Sequence, residues 1–203
     1  GDEIAALGEQ TDSHVCEGGE LVAGLPSRVY LAARDSQNEP VEVEGQIIDD
    51  RGTLVSDFRS VWGGMARFAI TPAAGRTYSV KLTKPRGSQV GKTFALPAAR
   101  PTGCTLRAVD DYLSADGEVK VRVQCSERQT VLATAVLREK LVATTSADTV
   151  PGAAAILSLP VAKDSVGALR LTLFDMEHRP LAERLVYRGL GAELHVSVKA
   201  DRA

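Results

Sequence analysis

Cys104 and Cys125 are the side chains of this 203-residue sequence with the clearest chemistry, because their spacing lets two sulfurs meet across a hairpin. A turn signal, Ser114-Ala115-Asp116-Gly117, lies between them. Strand side chains repeat every two residues, so setting Cys104 opposite Cys125 puts Leu106 against Val123 and Ala108 against Val121 on one face. A cross-strand disulfide is the expected outcome, and it would place the chain in an oxidising compartment. Two buried thiols in an apolar face would satisfy the same pattern. Cys16 is left over, as a buried apolar residue, an exposed thiol or a partner for one of the others. His14 and Glu17 stand beside it, but one cysteine without a second spaced ligand pair is not a zinc set. Neighbours in sequence are also not how Cys/His nucleophiles are usually assembled.

The remaining reactive groups read as structural. Asp110, Asp111, Asp116 and Glu118 crowd the proposed hairpin and have the oxygen chemistry that calcium prefers, but turn-forming, solvated aspartates are expected. Asp49-Asp50 is read in the same way. His14, His178 and His195 fall in different segments. Gly18-Gly19 and Gly63-Gly64 lack the following helix of a phosphate cradle and read as bulges or tight turns. There is no nucleophile elbow, Walker loop, zinc-protease helix or dinucleotide fingerprint. No catalytic residue, cofactor or metal ligand is assigned, and the chain is expected not to be an enzyme. Trp62, the sole tryptophan, is expected to pack in the core or against a hairpin. The rival reading makes Trp62 and Tyr30 candidate contact residues of an exposed aromatic patch.

The elements that must carry these residues are strands. Short β-branched runs alternate with polar residues and break at turn residues at roughly 8–12-residue intervals. Strands are expected at 28–32, 41–48, 53–55, 66–70, 78–82, 105–110, 118–125, 130–137, 154–159, 169–174, 182–187 and 193–199. Residues 131–142 could be argued as helical, but their β-branched ends favour a strand. Residues 96–103, with two prolines and a glycine, read as a linker. The expected fold is all-β, two tandem antiparallel β-sandwich domains of the immunoglobulin-like kind. Their bounds are 14–98 and 99–189, with a linker or tail at 1–13. Residues 190–203 either close the second domain or begin a truncated third. Asp35 and Asp175 each stand five residues before a proline followed by an aliphatic residue, a strand–turn–edge-strand phrase.

Composition narrows the function. The net charge of −2 with scattered Lys and Arg excludes a nucleic-acid footprint. No stretch approaches the ~18 uninterrupted apolar residues of a membrane span.

The segments at 16–29, 45–52, 64–72, 171–175 and 180–186 together resemble macroglobulin-like domains of bacterial envelope proteins, the bacterial alpha-2-macroglobulin family among them. The resemblance implies seven-stranded sandwiches strung in series. That family's thioester needs Cys-Gly-Glu-Gln, whereas this chain has Leu7-Gly8-Glu9-Gln10, so no thioester forms here. The expectation is a non-catalytic structural or interaction module, a fragment of a larger exported macroglobulin-like protein and the frame of a protease-trapping inhibitor. The alternative is a ligand- or partner-binding arm of an outer-membrane receptor or surface adhesin. Partners would be other domains of the parent protein, a protease or an envelope protein. The location would be periplasmic, outer-membrane-associated or extracellular.

Overall fold

The computed structural model describes residues 14–16, 19–35, 37–84, 93–114, 116–189 and 197. The expected tail at 1–13 lies outside them, as does the expected strand at 193–199 apart from Ser197. Every regular element among the described residues is a strand, so the chain is all-β, built from several antiparallel sheets.

Seven strands make up the first half: β1 (His14–Cys16), β2 (Ser27–Ala32), β3 (Glu44–Asp49), β4 (Leu54–Trp62), β5 (Met65–Ile70), β6 (Tyr78–Lys84) and β7 (Thr93–Ala95). They form one sheet in the order β1-β2-β5-β4-β3-β6-β7. Strand β4 is shared: Leu54 to Arg59 lie along β3, and Ser60 to Trp62 lie along β5. The sheet folds over at this strand, as sheets do where one strand passes between layers. Val29 and Leu31 of β2 and Phe68 and Ile70 of β5 then share a core with Ile47 of β3 and Val80 and Leu82 of β6. The rings of Phe58 and Phe68 meet there at 6.1 Å. Gly45 makes room, since a Cβ on it would sit 2.5 Å from the Phe58 ring. Each buried Val, Ile, Leu or Phe contributes about 1.5–3 kcal/mol of hydrophobic stabilisation.

The second half holds β8 (Cys104–Ala108), β9 (Tyr112–Leu113), β10 (Val119–Cys125), β11 (Gln129–Leu137), β12 (Lys140–Thr149), β13 (Ala154–Leu159), β14 (Gly167–Phe174) and β15 (Pro180–Arg188). A three-stranded sheet, β13-β10-β8, faces a five-stranded one, β12-β11-β14-β15-β9. Val119, Val121 and Val123 of β10 and Leu169, Leu171 and Leu173 of β14 fill the space between.

Three expectations need correction. The connection between β8 and β10 is not a tight hairpin: it crosses to the other sheet, where β9 pairs in parallel with the end of β15. Leu113 is buried in the core by that excursion, which gives the chain a reason to make it. Residues 131–142 are neither one strand nor a helix. They turn back at Arg138 and Glu139, whose φ of 48° and 62° give the left-handed pair of a two-residue hairpin turn. The run at 96–103 is only partly a linker. Leu96 is buried in the first core, and Arg100 is held against Leu21–Ala23 by two backbone bonds, Arg100 N–H to Leu21 C=O at 2.8 Å and Ala23 N–H to Arg100 C=O at 2.9 Å.

Three loops share one device. One Oδ1 of Asp35, Asp49 or Asp175 accepts the N–H groups two and four residues on, at 2.8–2.9 Å. The fourth residue of each, Asn38, Gly52 or His178, is left-handed. An aspartate is selected because its carboxylate reaches its own following backbone. The backbone N–H and guanidinium of Arg179 hold the Asp175 carboxyl below its ordinary value. At Asp49 burial pushes the carboxyl up, but the Thr53 and Arg51 N–H groups and the Arg76 charge outweigh it and leave it low.

Candidate functional site

Cys104 and Cys125 face each other in the β8–β10 register, with Leu106 against Val123 and Ala108 against Val121. Their sulfurs are bonded, with Cα atoms 4.1 Å apart, and both residues are buried. Backbone pairing sets Cys16 opposite Val29 and His14 opposite Leu31 in β1–β2. Glu17, His195 and the Leu7–Gln10 tetrapeptide lie outside the described residues.

The acidic groups are not gathered into one site. Asp111 pairs with Arg184 at 2.9 Å, Asp116 with Lys163 at 2.9 Å, and Glu118 with Lys120 at 2.7 Å. Asp49 and Asp50 both hold Arg76. Among the described residues no group of three His, Cys, Asp or Glu side chains converges. His178 occupies the left-handed position of its turn.

Trp62 corrects the expected core role, since 78% of it is exposed. Alternation along β4 puts Phe58 and Ser60 inward, and a regular strand would carry Trp62 inward too. A bulge intervenes: Ser60 lies opposite Ala66, but the next pair is Trp62 opposite Met65, so Val61 is an extra residue. One inserted residue reverses the facing of every later side chain in its strand. Val61 (84% exposed) and Met65 (52%) accompany Trp62 in solvent.

The tip that presents them is tightly held. Gly63 and Gly64, at φ 59° and 72°, form the two-residue turn of the β4–β5 hairpin. Gly64 also lies against the Ala33–Val41 backbone, where a Cβ would be 2.3 Å from the Ala33 oxygen. Its carbonyl accepts the Ala33 N–H at 2.9 Å. Behind the tip the Ser60 hydroxyl donates to the Glu42 carboxylate and accepts the Val43 N–H at 2.8 Å. The other Glu42 oxygen accepts the Gly64 N–H at 3.3 Å. The Ser60 bond first, then that amide, hold the Glu42 carboxyl below the usual range, so it stays ionised and clamped.

Tyr30 does not form a free patch with Trp62. It is half-buried, and the guanidinium of Arg184 from the second half lies 5.6 Å over its ring. Tyr30 is therefore a junction residue. Gly19 and Gly103 serve the same junction. A Cβ on Gly19 would be 3.2 Å from the Leu181 oxygen, and one on Gly103 would be 3.0 Å from the Val22 side chain.

Two features escaped sequence reasoning. Tyr112 and Tyr187 stack at 5.9 Å on the outer face of the five-stranded sheet, both substantially exposed. The alternation of Leu185 and Tyr187 around buried Val186 would have signalled the outward face, but nothing local joins it to Tyr112. Arg188 is 2% exposed, and its guanidinium donates to the carbonyls of Gly117 and Ala162 at 2.7 Å each. It ties two loops together where period-two alternation along β15 demands an inward residue.

The chain matches no protein-family model and no curated protein. Solved structures of similar outline include the adhesin InvE of Yersinia pseudotuberculosis, at 12% identity and a TM-score of 0.33, covering 87% of this chain and 58% of that one. Domains 5–6 of the S-layer protein SbsC match at 13% identity and a TM-score of 0.42, over 88% and 96%. Native alpha-2-macroglobulin of Escherichia coli matches at 12% identity and a TM-score of 0.32, over 86% of this chain and 14% of that one. With every TM-score below 0.5, these proteins share with this chain a broad β-domain likeness, and no activity or partner can be drawn from it.

Proposed function

We propose that this chain is a non-catalytic structural and interaction module of an exported protein. The observation that carries this reading is the junction between its halves. Arg100 is laced into the Leu21–Ala23 backbone, only Pro101, Thr102 and Gly103 separate it from β8, and Arg184 covers Tyr30. So short and bonded a connection suits a spacer that holds its neighbours at a fixed distance. The Cys104–Cys125 bond supports an oxidising, exported location. The finer reading, the frame of a macroglobulin-like protease trap contacting sibling domains, rests on the sequence phrases alone. Backbone 15N relaxation tests the spacer reading: both halves should tumble with one correlation time. Separate correlation times would sink it.

A second reading, a partner-binding arm, is favoured by the Trp62 tip. A bulge that turns the only tryptophan into solvent, on a clamped hairpin, is a preorganised contact rather than a packing element.

A further inference from the structure

The hairpin tip sits on a sheet face with a marked composition. The outward residues of β2, β5 and the part of β4 along β5 are Arg28, Tyr30, Ala32, Met65, Arg67, Ala69, Val61 and Trp62, with no carboxylate among them. Arg67 makes no ion pair with any described residue. Arg59, earlier in β4, is already engaged: it pairs with Glu44 opposite it at 3.7 Å, and its charge adds to the Ser60 bond in keeping the Glu42 carboxyl low. The carboxylate bonded to the tip itself, Glu42, is turned back onto Ser60 and Gly64. The face therefore offers an aromatic and aliphatic knob beside one arginine, Arg67, that no described carboxylate pairs with.

We propose that Trp62, flanked by Val61 and Met65, docks into an apolar pocket on a partner protein whose rim is acidic and pairs with Arg67. Trp, Met and Arg are the residues enriched where proteins meet, and Lys, Glu and Asp, absent from this face, are those depleted there. Arginine pairs with carboxylates in two-point fashion, which gives the rim its sign and its specificity. The knob also argues against a nucleic-acid or glycan occupant. Stacking sites present a succession of flat rings, whereas here one indole stands between two aliphatic side chains that fill volume. The proposal rests on the reading of the tip as a contact site.

The test is a selection of random displayed peptides on the immobilised full chain, run in parallel on Trp62→Ala and Arg67→Glu. Trp62 is in solvent, so its truncation leaves the fold intact. A Tyr112→Ala chain controls for the other exposed aromatic pair. The expected result is enrichment of peptides that combine Asp or Glu with Leu, Phe or Trp. A synthetic peptide of that kind should bind about 30-fold more weakly to Trp62→Ala, as a central aromatic contact of about 2 kcal/mol implies. It should also weaken on Arg67→Glu and with added salt, and bind Tyr112→Ala normally. Trp62-dependent peptides that are neutral or basic would overturn the acidic partner while leaving the contact site standing. Binding of heparin without any peptide enrichment would assign the face to an anionic polysaccharide and overturn the proposal. No Trp62-dependent binding at all would overturn the contact site itself.

Discussion

Replacing Arg138 and Glu139 by Asn and Gly at the β11–β12 turn should make the protein more stable. Both residues have left-handed backbones, φ 48° and 62°. A Cβ makes that region unfavourable by about 1–2 kcal/mol per residue, and asparagine relieves part of this and glycine nearly all. Two losses oppose the gain. A glycine adds about 0.4–1 kcal/mol of freedom to the unfolded chain. Glu139 also gives up its 3.6 Å contact with Arg170, an exposed pair of small worth. The net is about 1 kcal/mol of stabilisation, a rise in Tm of about 2–4 °C for a chain of this size. Differential scanning calorimetry at neutral pH reads it directly. Arg138→Asn alone keeps the Glu139–Arg170 contact and should deliver a smaller part of the gain. If both variants melt at or below the parent temperature, the left-handed turn is wrong, and with it the pairing of Leu137 with Lys140.

Removing the disulfide by Cys104→Ala with Cys125→Ala frees a loop closed over a separation of 21 residues, and urea titration should show a loss of about 3 kcal/mol. Gly63→Ala meets nothing within 4 Å and should cost only left-handed strain, about 1 kcal/mol, whereas Gly64→Ala drives a Cβ onto the Ala33 oxygen and should cost clearly more; equal melting points would refute the cradle. Asp175 has a lowered pKa, so its stabilisation is complete above the unfolded aspartate value and disappears as pH falls through the folded one, below about pH 4. Asp175→Asn keeps an oxygen for the Glu177 and Arg179 amides but cannot titrate, so its Tm should fall less than the parent's between about pH 5 and pH 3.

The disulfide register could be read from the sequence because it depends only on the two-residue period of β8 and β10, which no bulge interrupts. Trp62 was expected to pack because of its side-chain type alone, and the bulge at Val61 that turns it outward leaves no mark in composition. Strand β12 was missed for a related reason. Its entry turn is Arg-Glu, where the usual signal would be Asn-Gly, and only tertiary pairing with β11 and packing enforce the turn. The aspartate loops were visible at Asp35 and Asp175 because a proline stands five residues after each. The third, at Asp49, went unmatched because Leu54 holds that place. The role of Tyr30 was out of reach, since its cover, Arg184, comes from the other half of the molecule.

Strand order has a consequence in time. Cys104 and Cys125 both precede β11 to β15, so a chain delivered from its N-terminus through a translocation channel can close the disulfide before β14 and β15 arrive. Strand β9 must wait longest, because its strand partner among the described residues is the end of β15. In a chain so delivered, a locked three-stranded layer would show Val119, Val121 and Val123 to solvent until Leu169, Leu171 and Leu173 arrive. A chain halted after Leu159 should already resist thiol alkylation at both cysteines while binding a hydrophobic dye far more strongly than the finished protein.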